Sequence, residues 1–71
     1  VKEYIVIYER GDLNWSAYVP DLPGCVAAAE TKHETGKLIR EAIQLHIDAM
    51  VEDGEAVPEP TSEAGTVRIS A

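Results

Sequence analysis

The chain has 71 residues, 45% of them hydrophobic, and 13 Asp and Glu against 6 Lys and Arg leave it with a net charge of −7. A chain of this length makes one domain, which buries only roughly 60–65% of the surface exposed by its unfolded chain. Its charge argues against direct nucleic-acid binding, because Lys2, Arg10, Lys32, Lys37, Arg40 and Arg68 are scattered rather than gathered into a basic run, and the lone Cys25 excludes an internal disulfide.

No Cys–His grouping has zinc-ligand spacing, so no cofactor or metal is expected. Oligomerisation or a permanent partner is then the expected supplement to so small a core. With neither a secretory leader nor an apolar run long enough for a membrane, the expectation is a soluble cytoplasmic protein. The acidic surface suits solubility, or a basic protein partner met through charge complementarity.

In chain order, residues 2–9 (KEYIVIYE) are rich in aromatic and β-branched types and predict a strand. Tyr4, Val6 and Tyr8 would share one face, Ile5 and Ile7 the other. RGDLN supplies turn residues, and residues 15–19 (WSAYV) predict a second strand that closes a hairpin. Pro20 ends it. The turn Pro20-Asp21-Leu22-Pro23-Gly24 leads to a third predicted strand, residues 25–30, although three consecutive alanines favour helix over sheet.

Residues 31–53 predict one long helix. Thr31 followed by Glu34 fits a capping box, and Gly54 is placed to stop the helix. Leu38, Ile39, Ala42, Leu45, Ala49 and Met50 recur at helical spacing as an apolar stripe, and Lys37 and Glu41 are spaced to pair on the wet side. Gly36, early in the helix, costs about 1 kcal/mol relative to Ala with no compensation visible in the sequence. Residues 55–65 (EAVPEPTSEAG) predict an extended acidic connector, and residues 66–70 a last short strand with Val67 and Ile69 on its apolar face. The expected fold is α+β: a three-stranded antiparallel sheet plus a short fourth strand, packed against one long helix in the order β-β-β-α-β. One helix covers one face of a sheet, and both faces here carry apolar residues. The pattern therefore predicts a homodimer, a higher homo-oligomer or a permanent partner.

Candidate catalytic groups reduce to structural roles. His46 falls near the middle of the apolar stripe, where a lone His is a hydrogen-bonded core or interface residue, and it is the helix-interface candidate. His33 lies roughly 140° round and about 20 Å along the same helix, so the two cannot share a metal within one chain. Nothing near Cys25 lowers a thiol pKa. Asp12, Asp21, Glu30 and Glu34 fall in separate segments without a metal-site spacing, and no phosphate-binding glycine loop is present. Trp15 is a core residue or an aromatic anchor in an interface. Enzymatic activity is not expected.

WSAYVPDLPGC, then a capped helix of some twenty residues, then EDGEAVPEP, resembles the HicB-type antitoxin family from Tyr4 to about Ser70. The resemblance implies a degraded ribonuclease H-like fold. It also implies self-association, and a partner of HicA type: a small basic mRNA-cleaving toxin whose active site the antitoxin masks. The chain departs from many members in lacking a ribbon-helix-helix or helix-turn-helix domain, so no DNA-binding domain is expected in this single domain, 1–71. AAAETKHETG is more alanine-rich and less acidic than is usual after the turn. The turn is expected to shape a protein-contact surface, with Tyr4, Tyr8, Trp15, Tyr18, Asp21, Leu22 and Pro23 as contact candidates. An orphan homo-oligomeric module with an unidentified ligand is the alternative.

Overall fold

The computed structural model describes residues 2–71. Strands β1 (Ile7–Arg10), β2 (Trp15–Tyr18) and β3 (Val26–Ala29) form one antiparallel sheet in the order β1-β2-β3, followed by helix α1 (Lys32–Glu52). Pairs run from Ile7–Tyr18 to Arg10–Trp15 in the hairpin, and from Trp15–Ala29 to Tyr18–Val26 across the other edge. β1 starts later than residue 2 for a reason visible in this register: one step beyond Val6–Val19 would set Ile5 against Pro20, which has no N–H to continue a ladder.

Directly opposed residues share a face. Tyr8, Ala17 and Ala27 form one such row, and Ala17 is buried under α1 with Val19, Leu22, Cys25 and Ile39. The alanines of β3 form a strand against their helix propensity because tertiary packing decides strand preference. α1 packs mainly on β3 and β2, where Ala27 and Ala29 present only methyl groups to it.

The helix is closed at both ends. The Thr31 hydroxyl accepts a hydrogen bond from the Glu34 N–H at 3.1 Å. At the other end Gly54 takes φ +74°, its N–H donates to the Val51 carbonyl, and the Glu55 N–H reaches the Met50 carbonyl. The buried Thr35 hydroxyl donates to the Thr31 carbonyl at 2.8 Å and also lies 3.3 Å from the Trp15 carbonyl, tying the first turn of α1 to β2.

Three expectations are corrected. First, residues 66–70 form no fourth strand: among the described residues the sheet has three, and Val67 and Ile69 stand exposed. A short strand needs both a partner edge and a face to cover its apolar side, and the tail meets neither within one chain. Second, the apolar stripe of α1 is rotated. Ile39, Ala42, Ile43 and Ile47 face the core, while Leu38 and Leu45 are exposed. Third, Lys37 and Glu41 do not pair; the ion pair among the described residues is Lys2–Glu59. Exposed i,i+4 pairs contribute only about 0.3–0.5 kcal/mol, too little to hold two long side chains in one geometry.

Candidate protein-contact surface

The turn between β2 and β3 is a closed loop with its own backbone bonds. The Val19 N–H donates to the Cys25 carbonyl at 3.2 Å, Leu22 N–H to the Val19 carbonyl at 3.0 Å, and Cys25 N–H to the Leu22 carbonyl at 3.1 Å. Gly24 takes φ +85°, which a residue with a Cβ adopts only under strain. The loop thereby drives Leu22 inward until none of it is exposed, so this contact candidate is a core residue. Pro23, at the tip, is exposed.

Asp21 faces the other way, and its carboxylate holds the protein's own tail. It accepts the Thr61 N–H at 3.1 Å, the Thr61 hydroxyl at 3.2 Å, the Ser62 N–H at 3.1 Å and the Ser62 hydroxyl at 2.8 Å. These donors, with the Ser62 bonds foremost, hold the carboxyl below its ordinary pKa. Upstream, the Tyr4 hydroxyl donates to the Pro58 carbonyl at 2.6 Å and Lys2 pairs with Glu59. Residues 58–62 are thus strapped across the start of the chain and the Asp21 loop. Beyond the strap, residues 63–71 are exposed. No sequence signal marks this clasp, because its partners stand 40 and 41 residues apart.

The seven contact candidates do not share one surface. Tyr4 and Tyr8 lie half-buried on the helix side of the sheet, packed against the core. Trp15 is on that side as well, with Lys32 Nζ 5.8 Å and Arg10 Cζ 6.0 Å from its ring centre. Tyr18 points to the open side. There it forms a row with Ile7 and Val26, with the row Glu9, Ser16 and Ala28 beside it. Tyr18 is 40% and Val26 65% exposed, and the one helix among the described residues packs on the opposite face. Val26 and Ala28 are outward positions by the alternation of a strand over residues 25–30, a signal that the alanine run weakens. His46 is half-buried on α1.

Gly36, unexplained by sequence, is explained by Tyr8. A Cβ at position 36 would stand 3.0 Å from the Tyr8 hydroxyl. The missing side chain lets the tyrosine lie across the helix, where Lys32 Nζ sits 5.2 Å from its ring centre. Burial pushes the Cys25 thiol above its ordinary pKa, opposite to the direction that makes a nucleophile. Among the described residues no three His, Cys, Asp or Glu side chains converge as metal ligands, and no helix is long and apolar enough to cross a membrane.

Comparison with known proteins agrees with that architecture. A family model described as "HicB_like antitoxin of bacterial toxin-antitoxin system" matches residues 4–68. An uncharacterised 14.9 kDa protein of Haemophilus phage HP1 is 38% identical over 55 residues, which span 78% of this chain and 41% of the phage protein. The chain thus spans less than half the length of that relative. A UPF0150 protein of Thermoplasma acidophilum is 33% identical over 67 residues, covering 94% of this chain and 97% of its own. A second UPF0150 protein, from Archaeoglobus fulgidus, is 37% identical over 59 residues, 80% of this chain and 86% of that protein. Among solved structures, a chain of the HicA3 and HicB3 toxin-antitoxin complex superposes with a TM-score of 0.70 at 28% identity, over 84% of this chain and 70% of that one.

Proposed function

Because this chain belongs to the HicB-like antitoxin family, we propose that it acts as an antitoxin: it binds a small basic mRNA-cleaving toxin of HicA type and masks its active site. The observation that carries this reading is the match to the fold of a chain in the HicA3 and HicB3 complex, at 28% identity and across most of the sequence. The net charge of −7 supports it, since a basic partner is drawn to an acidic surface and docks faster for it. The protein works by occlusion rather than catalysis, and does so in the cytoplasm, where such a toxin meets messenger RNA.

The open sheet face supports a second element of the proposal, self-association. Ile7, Tyr18 and Val26 form an apolar row on the sheet face opposite α1, with Tyr18 and Val26 exposed. Two copies joined through this face would bury it and supplement a core too small for comfort on its own.

The test is co-expression with a HicA-type toxin from the same cell. Rescue of growth and a stoichiometric complex on size exclusion are expected. Failure of both, with the antitoxin folded and in excess, sinks the masking role. Persistence of the oligomer in that case leaves an orphan homo-oligomeric module, the reading that the apolar row alone favours. Tyr18→Arg and Val26→Arg separate the two roles. They are expected to shift the protein to monomer in sedimentation with an unchanged circular dichroism spectrum.

A further inference from the structure

The basic residues that are scattered in sequence are gathered in space. α1 packs on β3 and β2, so the inward row of β1 is left half-covered and forms one wall of a groove beside the helix. One stretch of this groove, about 430 Å³, is floored by Tyr4, Val6, Ile39 and Ile43 and carries Lys2 and Arg40 at its rim. The next stretch, about 460 Å³, is bounded by Lys32, His33 and Lys37. Tyr8 and Gly36 line both, so the groove runs on past the position where a side chain would interrupt it.

Four of the six Lys and Arg residues of the chain therefore stand around one tyrosine-walled groove: Lys2, Lys32, Lys37 and Arg40. In a protein with 13 carboxylates only Lys2 among them has one within ion-pair distance, counting the described residues. Glu3 is the carboxylate on the rim at the Lys2 end, and Glu34 and Glu41 flank Lys37 on the outer side of the helix. At that same end the chain's own acidic, proline-bearing connector touches two of the lining residues from outside the groove: the Pro58 carbonyl accepts from the Tyr4 hydroxyl and Glu59 pairs with Lys2. The stretch from Gly36 to Lys32 continues beyond this contact; Lys32 lies over the Tyr8 and Trp15 rings, and among the described residues neither it nor Lys37 has a carboxylate within ion-pair distance.

We propose that this groove between β1 and α1 is a docking site for an extended, carboxylate-rich peptide segment of a partner protein. The alternation of Tyr4, Val6 and Tyr8 along the wall spans about 13 Å, the length of roughly four residues of extended peptide. Carboxylates of such a segment pair with Lys32, Lys37 and Arg40, and its apolar side chains lie on the tyrosines. A nucleic-acid strand is disfavoured because a chain of net charge −7 repels a polyanion, whereas a short peptide meets mainly the local field of the rim. The site lies on the helix side of the sheet, away from Tyr18 and Val26, and so is separate from the surface proposed for self-association. It also asks for a partner of opposite charge to the basic toxin.

The probe is a fluorescein-labelled synthetic peptide copying residues 52–63 (EDGEAVPEPTSE), titrated with the full-length protein and read by fluorescence anisotropy. Saturable binding that weakens with salt is expected. Lys37→Glu with Arg40→Glu should weaken it by about tenfold or more, and the milder pair Lys37→Ala with Arg40→Ala by less. Arg68→Glu, in the exposed tail and outside the groove lining, should leave it unchanged. Circular dichroism checks that each variant is folded, and both helix positions are exposed. No saturation at about 1 mM peptide and low salt, where binding free energy falls to about −4 kcal/mol, overturns the proposal. So does equal affinity for the charge-reversed variant, or tighter binding of a single-stranded oligonucleotide of the same charge.

Discussion

Two proline-bearing segments cross this protein, and they are held by opposite means. The β2–β3 loop, residues 20–24, is closed by its own backbone bonds and drives Leu22 into the core. The connector, residues 55–62, makes no such closure; it is held by side chains from elsewhere, through Asp21, Tyr4 and Lys2. Similar composition thus yields a part of the core in one case and a strap in the other. The difference follows from what each segment has to bury. Leu22 has the size and apolar surface to fill a cavity, whereas Val57, Pro58 and Pro60 of the connector are only half-buried and Thr61 and Ser62 are held through their polar groups.

The sharpest way to break the comparison is Leu22→Ala. It removes a fully buried side chain and is expected to cost about 2–5 kcal/mol, a large share of the roughly 4–10 kcal/mol that a domain of this size has. Urea denaturation measures it; a loss under about 1 kcal/mol would mean the loop is not a core element. Gly24→Ala comes next. There is open space around the position, so only the positive φ is strained. A loss of about 1–2 kcal/mol is expected, and Gly24→Asn should lose less because Asn tolerates that conformation.

Gly36 tests a third contact by non-additivity. Gly36→Ala should gain about 1 kcal/mol of helix propensity in a Tyr8→Phe background, and clearly less in the presence of the Tyr8 hydroxyl that the new methyl would crowd. Equal gains in the two backgrounds would show that the hydroxyl is not the reason for the glycine.

The smallest effect on global stability is expected at the strap. Asp21→Asn should free residues 55–62, seen as faster amide hydrogen exchange confined to that segment, with the midpoint of global unfolding little changed. The pH dependence has a definite sign. Because the folded-state pKa of Asp21 lies below its ordinary 3.8, the clasp contributes fully above that value and is lost as pH falls through the lower, folded value. The Thr61 and Ser62 amide resonances should therefore titrate with a midpoint below 3.8, measured against that ordinary value; a midpoint at or above it would show that the four hydrogen bonds do not persist in solution.

Local pattern alone determined a good deal here. Three strands, one capped helix and the sheet's two apolar faces were legible because each rests on periodicity, a cap or a turn residue within a few positions: the alternation in IVIY and WSAYV, Thr31 with Glu34, Gly24 and Gly54 at positive φ. The family resemblance was legible for a similar reason, since it lies in two short motifs. Tertiary structure decided what depends on distant neighbours. It rotated the helix so that Ile43 and Ile47 rather than Leu45 met the core, left Val67 and Ile69 without a sheet to join, and gave Leu22 and Asp21 opposite fates one residue apart. It also brought Lys2 beside a groove shared with Lys32, Lys37 and Arg40. The physical reason is the same throughout. Periodicity says that a residue is apolar or charged on a given face, while the free energy of burial or pairing depends on what the rest of the chain places opposite that face.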